Sequence, residues 1–468
     1  MIDFETLYGW VRDLPIIDWH NHLDLRMLAE DRPLGSLYEV WVKSDPYKHR
    51  AMRICGEPEW LITGTGTTDV PSVGCVNGQD VRCPSGEAAK WAAWMRTLPK
   101  LVGNPLFAWA KMELEWLGLE PDGYLHGRGE NISLADWTPS KMLTRFNVEY
   151  LSPCVGLNGI EALDDLEVLG NLDGMSVVPS LRMNAGDEVS VEVLEKFNAA
   201  GCRIVDVSVD DASQLPTPNC QLPTVAAFAA AHGWTMLLHL GALRETSARL
   251  RAAAGPAGGF AGMRAPVDPT AVAAFLNTLE SMPNVFSHKE HKDNKEELSA
   301  KDNCHNCSQI ANEDSTRSTC STRLNASLPR TVLLSLNPEA HAQLAVLAGS
   351  FNGEGMPGKV QLGPAWWWCD HEEGIRDVLE KSAAYGVLST FIGMTTDSRS
   401  LLSFVRHDYF RRILCKWVSE KVAVGAFPDD EALLRPMLEN ICYRNAALNL
   451  KSISKKRPNE TGKKKERT

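Results

Sequence analysis

The sequence predicts an α/β fold whose parallel sheet closes into a (β/α)8 barrel, and three observations favour this class. The chain has 468 residues and is 44% apolar, which is enough for a large core. Eight short apolar runs each end in polar residues and are followed by a helical pattern. Two histidines separated by a single residue stand at the end of the first run. Because parallel neighbours need a crossover helix, this alternation predicts a barrel, with a doubly wound sheet as the alternative.

The predicted strands, in chain order, are 15–20, 146–151, 175–180, 203–208, 235–240, 331–336, 360–368 and 388–396. The pattern is cleanest between the fourth and fifth strands. There Pro223–His232 predicts a helix, Gly233 predicts its end, and Trp234 leads into the next strand.

Three segments do not fit the barrel pattern. Residues 65–84 and 286–327 are polar and lack a usable period, so we expect two disordered insertions. They contain five of the twelve cysteines, and the Cys304–Cys307 pair fits no standard zinc spacing. Residues 451–468 carry eight basic and two acidic side chains, which predicts a disordered basic tail. We therefore expect a single barrel domain over residues 1–450.

Charge and hydropathy limit the partners and the compartment. The net charge of −11 argues against a nucleic-acid partner. No apolar run is long enough to cross a membrane, and residues 1–15 lack the apolar core of a signal peptide. These features predict a cytoplasmic protein with reduced cysteines and no membrane partner.

Strand ends carry the candidate chemistry. Residues i and i+2 of a strand share a face, so His20 and His22 would project together and could chelate a divalent metal. His239 ends the fifth predicted strand and Asp397 ends the eighth. Because barrel strands converge at their carboxyl ends, both side chains could complete this site. The alternatives are a hydrogen-bonded core histidine and a turn-capping aspartate.

Six segments of the chain carry a resemblance to a known family, and they are 16–23, 37–56, 103–109, 238–244, 351–368 and 391–414. Through them the chain resembles, from about residue 10 to about residue 448, the uronate isomerases, also called glucuronate isomerases, of the amidohydrolase superfamily. It implies a distorted TIM barrel of the metal-dependent hydrolase type with extra helices. It also implies a hexuronate substrate and a divalent metal, with zinc favoured. The implied reaction interconverts D-glucuronate with D-fructuronate, and D-galacturonate with D-tagaturonate, by moving a proton between C2 and C1.

The resemblance also implies a role for each matching residue. His20, His22 and Asp397 resemble the metal ligands, with His239 as a catalytic neighbour or fourth ligand. Asp397 is also expected to move a proton. The remaining matches are the acid/base tyrosine, the two substrate-binding arginines and the pocket tryptophan, at Tyr47, Arg182, Arg399 and Trp367. Without the resemblance, core aromatics and ion-paired scaffold arginines would be the simpler interpretation.

Three positions depart from the family pattern. Pro46 stands where members often have histidine, Val207 where some have histidine, and 152–156 replaces a common Thr-Asp-Asp-Pro segment. Two alternatives therefore stay open: a metal-dependent hydrolase of the same superfamily, and a weakened, non-catalytic sugar-acid binder. The native metal, the preferred epimer and the formation of a homo-oligomer are also left open.

Overall fold

The computed structural model describes residues 1–64, 86–163, 171, 172, 174–211, 215, 221–244, 246–255, 258–283, 286, 328–353 and 355–451. The predicted insertion at 65–84, nearly all of the one at 286–327, and the tail beyond residue 451 lie outside these residues.

A curled parallel sheet forms the centre of the fold. Its strand order is β1-β2-β5-β6-β7-β10-β11, and every neighbouring pair in it is parallel. Strands β3 and β4 form an antiparallel pair on the edge of β2, and β8 and β9 form a separate two-stranded sheet. The strands are β1 (Ile16–Asn21), β2 (Val148–Gly156), β3 (Asn171–Leu172), β4 (Met175–Val177), β5 (Ser180–Asn184), β6 (Ile204–Val209), β7 (Thr235–Leu240), β8 (Ala242–Leu243), β9 (Gly262–Met263), β10 (Arg330–Ser335) and β11 (Val360–Leu362).

Helices supply the crossovers and an extra layer. They are α1 (Phe4–Val11), α2 (Leu25–Glu30), α3 (Leu37–Trp41), α4 (Pro46–Ile54), α5 (Glu59–Ile62), α6 (Glu87–Thr97), α7 (Pro105–Leu117), α8 (Pro121–Leu125), α9 (Pro139–Arg145), α10 (Val191–Ala199), α11 (Leu222–Ala231), α12 (Ala248–Ala254), α13 (Pro269–Ser281), α14 (His341–Gly349), α15 (Glu372–Tyr385), α16 (Val405–Ala423), α17 (Glu431–Glu439) and α18 (Asn445–Lys451). None of the helices described is both long and apolar enough to cross a membrane.

The barrel prediction is confirmed, and four predicted strands agree within one residue with β1, β6, β7 and β10. The second predicted strand, 146–151, overlaps β2, which begins at Val148 and continues to Gly156. The helix predicted before β7 is α11, and Gly233 follows it with a φ of 66° that favours glycine. The third predicted strand is displaced. A short β4 ends at Val177 and the main strand β5 begins at Ser180, because the intervening Pro179 has no N–H to donate to a ladder.

The seventh and eighth predicted strands need correction. Strand β11 has three residues, and the chain then turns into a 3-10 helix at Trp367–Cys369 with Trp367 at a φ of 52°. No strand covers 388–396: residues 388–390 form a 3-10 helix, and the following segment lacks a regular ladder. Apolar character alone predicted a strand there, but the backbone hydrogen bonds that define one are too few.

Two backbone hydrogen bonds and the buried side chain of Asp18 attach the segment after residue 391 to β1 and so close the barrel. The backbone N–H groups of Asp397 and His22 donate to His20 O and Ser398 O, at 3.0 and 2.8 Å. The fully buried carboxylate of Asp18 accepts from the Thr396 backbone N–H at 2.7 Å and from the Thr395 hydroxyl at 2.9 Å. Asp18 therefore does, through its side chain, what a ladder does elsewhere in the sheet.

Candidate active site

All eight predicted site residues line one cavity of about 380 Å³ at the carboxyl ends of the strands. They come from β1, β5, β7, α4 and the segments after β11 and before α16. They are His20, His22, Tyr47, Arg182, His239, Trp367, Asp397 and Arg399. The structure thus brings together residues that are up to 379 positions apart in the chain.

Two imidazoles converge on one carboxylate. The Nε2 atoms of His20 and His22 lie 3.1 and 3.0 Å from Oδ1 of Asp397. Asp397 adopts a left-handed φ of 48°, which is uncommon for a residue other than glycine. Burial raises the pKa of its carboxyl group, but the two histidines outweigh burial and hold that pKa well below its usual range. Imidazole nitrogens and a carboxylate oxygen are donor types that bind a divalent transition metal.

Asp206, on β6, is a buried centre that the sequence analysis missed. Its carboxylate is inaccessible to solvent and lies 2.5 and 2.6 Å from Nη1 of Arg182. Oδ1 is also 2.6 Å from Nδ1 of His239. Burial raises the pKa of Asp206, but the Arg182 guanidinium and the hydrogen bond with His239 outweigh burial and hold that pKa well below its ordinary value. A single acidic residue inside an otherwise apolar strand was the sequence signal for it.

His239 lies beside the two-histidine site. Its Nδ1 is engaged by Asp206, and its ring centroid is 4.9 Å from that of His20. Burial lowers its pKa to about 4, so the ring is neutral near pH 7. A second group of ligand atoms, from His20, Asp206 and His239, is also close enough together to hold a metal. Whether His239 is a neighbour or a fourth ligand remains a prediction.

Tyr47 follows the first residue of α4, whose N-cap Asp45 accepts from the Tyr47 backbone N–H at 2.8 Å. The edges of Trp109 and Trp368 enclose its ring at centroid distances of 5.9 and 5.6 Å. Its hydroxyl is buried and has no hydrogen-bond partner among the described residues. Burial raises the pKa of this phenol far above its ordinary value, so it is protonated at neutral pH.

Three arginines surround the open part of the cavity. Arg182 is anchored by Asp206, whereas Arg399 has no ion pair within the described part of the chain. Arg244, a third cation that the sequence analysis did not assign, pairs with Asp210 at 3.0 Å and lies 5.5 Å from the Trp367 ring. It falls within the segment 238–244 that supported the resemblance. The cavity therefore suits an anionic ligand with an apolar or ring-shaped face.

Two of the three departures from the family pattern face this cavity. Pro46 and Cys154 both line it. Gly259 approaches Pro46 so closely that an added Cβ would lie 2.1 Å from the Pro46 carbonyl oxygen, so this position requires glycine. Val207 is a fully buried core residue of β6.

A larger cavity of about 560 Å³ lies elsewhere, between α14, β11 and the end of α15. The described residues that line it include no charged side chain or histidine. Within this described lining the phenol of Tyr385 is the single acid–base group, and no imidazole, thiol or carboxylate is present to bind a metal, so we place the candidate active site in the smaller cavity.

Comparison with known proteins identifies the family. A family model described as glucuronate isomerase matches residues 3–71 and 302–449. A uronate isomerase of Salmonella newport strain SL254 is 30% identical over 517 aligned residues, which cover 94% of this chain and 95% of that protein. The chain belongs to the uronate isomerase family. A uronate isomerase of Salmonella arizonae is 29% identical over the same share of both chains.

Solved structures of uronate isomerases have the same fold. The Thermotoga maritima uronate isomerase matches with a TM-score of 0.71 at 20% identity, covering 96% of this chain and 97% of that one. The Caulobacter crescentus glucuronate isomerase matches with a TM-score of 0.69 at 19% identity, covering 97% and 95%. The distorted barrel is therefore the fold that this chain shares with solved uronate isomerases.

Proposed function

We propose that this chain interconverts D-glucuronate with D-fructuronate, and D-galacturonate with D-tagaturonate, by transferring a proton between C2 and C1. The observation that carries the proposal is one cavity that contains an ionised Asp397, a protonated Tyr47 and three arginines. An aldose–ketose isomerisation needs a proton acceptor, a proton donor and cationic groups for the sugar carboxylate and the enediolate.

The arginines support recognition of a uronate. Arg399 has a planar guanidinium free to bind a carboxylate through two parallel hydrogen bonds. Arg182 is held by Asp206 and presents a cation of fixed position to the hydroxyl oxygens. Trp367 offers an indole face to the sugar ring, and the cation of Arg244 lies against that indole.

His20, His22 and Asp397 would hold a divalent metal, which we propose is Zn²⁺. Two imidazole nitrogens, each within 3.1 Å of the same carboxylate oxygen, belong to a donor set that zinc accepts, and three protein ligands leave a position for substrate. A bound Zn²⁺ ion would act as a Lewis acid that stabilises negative charge on the substrate oxygens.

The protonation states of the free protein suggest an order for the proton transfers. In ring opening, Asp397 accepts the proton of the C1 hydroxyl while Tyr47 donates its phenol proton to the ring oxygen. The resulting phenolate of Tyr47 then removes the C2 proton as Asp397 returns its proton to O1, which forms the enediol. Tyr47 next donates the proton to C1, and Asp397 accepts the O2 proton to leave the open-chain ketose. Closure of the ketose ring then restores both groups, because Tyr47 accepts the proton of the C5 hydroxyl while Asp397 returns its proton to O2.

One assay tests this function. We expect the purified protein to convert D-glucuronate to a ketouronate, to lose the activity with a chelator, and to recover it with Zn²⁺. A His22→Ala variant, which removes one donor, is the matched control and should not recover. Hydrolysis of an amide substrate without isomerisation would favour the hydrolase alternative. Uronate binding without turnover in metal-loaded protein would favour the sugar-acid binder and refute the proposal.

A further inference from the structure

Cys154 belongs to the segment in which this chain departs from its family, and its thiol reaches the metal-binding cluster. It lies in β2 on the face that it shares with Ser152 and Gly156, and it lines the cavity. The ligand atoms of His20, His22 and Cys154 all lie within 4.8 Å of one another.

The hydrogen bonds around the thiol form one consistent chain. Sγ of Cys154 is 3.3 Å from Nδ1 of His20 and 3.5 Å from Oδ2 of Asp206. The Ser180 hydroxyl donates to the same sulfur at 3.4 Å. If the S–H donates to the carboxylate, which can only accept, the sulfur lone pairs remain to accept from His20 and Ser180.

The direct route from His20 to the carboxylate is too long. Nδ1 of His20 is 3.7 Å from Oδ2 of Asp206, which is beyond the length of a side-chain hydrogen bond. The thiol therefore bridges a gap that the carboxylate does not span. Asp206 is itself held by Arg182 and His239, so the far end of the bridge is fixed.

We infer that Cys154 is a positioning residue that links Asp206 to His20 and holds the His20 ring with its proton on Nδ1 and its Nε2 lone pair toward the metal. This inference rests on the proposed metal centre of His20, His22 and Asp397. A ligating histidine normally donates its second N–H to a carboxylate or a carbonyl oxygen, which fixes the tautomer and the orientation of the ring. Here the sulfur of Cys154 accepts the hydrogen bond from that N–H, and the thiol in turn donates a hydrogen bond to the Asp206 carboxylate.

A serine–alanine comparison tests the inference. Cys154→Ser keeps a group that can donate and accept, whereas Cys154→Ala removes it with a similarly small side chain. We expect Zn²⁺ affinity, measured by competition with a chromophoric chelator, to fall about 10- to 100-fold in C154A and to change less than about 3-fold in C154S. Cys55→Ala, at the end of α4 and outside the cavity lining, is the control and should keep the wild-type affinity.

The outcomes separate the inference from the proposed function. If the wild-type protein and C55A do not bind Zn²⁺, the metal centre itself is refuted. If the wild-type protein binds Zn²⁺ and C154A binds it equally tightly, only the role of Cys154 is refuted. If the thiol merely packs in the barrel, C154A should bind Zn²⁺ at least as tightly as C154S. That result would also refute the inference.

A second measurement is read from the wild-type protein, and a variant serves only to assign its signals. Nitrogen-15 spectra of the imidazoles in the wild-type protein, with the His20 signals assigned through His20→Gln, report which ring nitrogen carries the proton. We expect a proton on Nδ1 of His20 in the zinc-loaded protein. A proton on Nε2, with Nδ1 unprotonated, would overturn the inference.

Discussion

Replacing Asp206 with asparagine should destabilise the protein and impair uronate turnover together. The asparagine amide has nearly the shape of the carboxylate, but it is neutral and only one of its two terminal atoms accepts hydrogen bonds. It therefore cannot serve Arg182 and His239 as the two carboxylate oxygens do, at 2.5 to 2.6 Å.

The burial of Asp206 sets the expected loss in the free energy of unfolding. Removing one partner of a buried ion pair costs about 3–5 kcal/mol, because the other charge is left unpaired. The Arg182 side chain is 22% exposed, so water can partly solvate its guanidinium, and we expect the lower end, about 3 kcal/mol. For a chain of this length the unfolding entropy is roughly 1 kcal/mol per kelvin, so the thermal midpoint should fall by about 3 °C. We also expect kcat/KM for D-glucuronate to fall at least about tenfold, because Arg182 loses its fixed position.

Thermal denaturation and steady-state kinetics measure the two effects. Asp377→Asn is a matched control: this carboxylate also contacts a histidine, His341, at 2.7 Å, but it is 30% exposed and does not line the cavity. The free energy of unfolding of this control should fall by less than about 1 kcal/mol, and its activity should stay at the wild-type level. A D206N protein with the thermal midpoint and the kcat/KM of the wild type would refute the central role of Asp206.

Three further perturbations test other parts of the structure. Tyr47→Phe should reduce exchange of the substrate C2 proton with solvent at least about 100-fold. The thermal midpoint should stay unchanged, because the Tyr47 hydroxyl has no hydrogen-bond partner in the described chain. Undiminished exchange would remove Tyr47 from the mechanism. Burial lowers the pKa of His49 from 6.5 to about 4, so the unfolded chain binds more protons between these values. The contribution of His49 to the free energy of unfolding should therefore be complete above pH 6.5 and decline by up to about 3 kcal/mol as the pH falls toward 4. His49→Leu should flatten this decline in denaturation experiments at pH 7.5 and 5, and exposed His126→Leu should not; equal slopes in all three proteins would contradict the assignment. Trp94→Ala removes a fully buried indole that packs edge-on against Trp41. It should lower the free energy of unfolding, measured with denaturant, by about 3–5 kcal/mol. A loss below about 1 kcal/mol would contradict the place of Trp94 in the core.

The sequence by itself determined most of the barrel and the named side chains of the cavity. Strands such as β6 and β7 are short apolar runs with polar ends, and this pattern is local, so it can be read without knowing the partners. His20 and His22 could be paired because side chains two residues apart on a strand share a face. The remaining site residues were named from long segments that resemble the family.

Only the tertiary structure decided which side chains meet and how the barrel closes. The register of β5 against β6 sets Arg182 beside Asp206, and curling of the sheet places Cys154 between His20 and the Asp206 carboxylate. The segment before Asp397 looked like an eighth strand, yet side-chain hydrogen bonds to Asp18 hold it in place of a ladder. Register and closure depend on contacts between residues far apart in the chain, and the local pattern of apolar residues carries no information about those pairings.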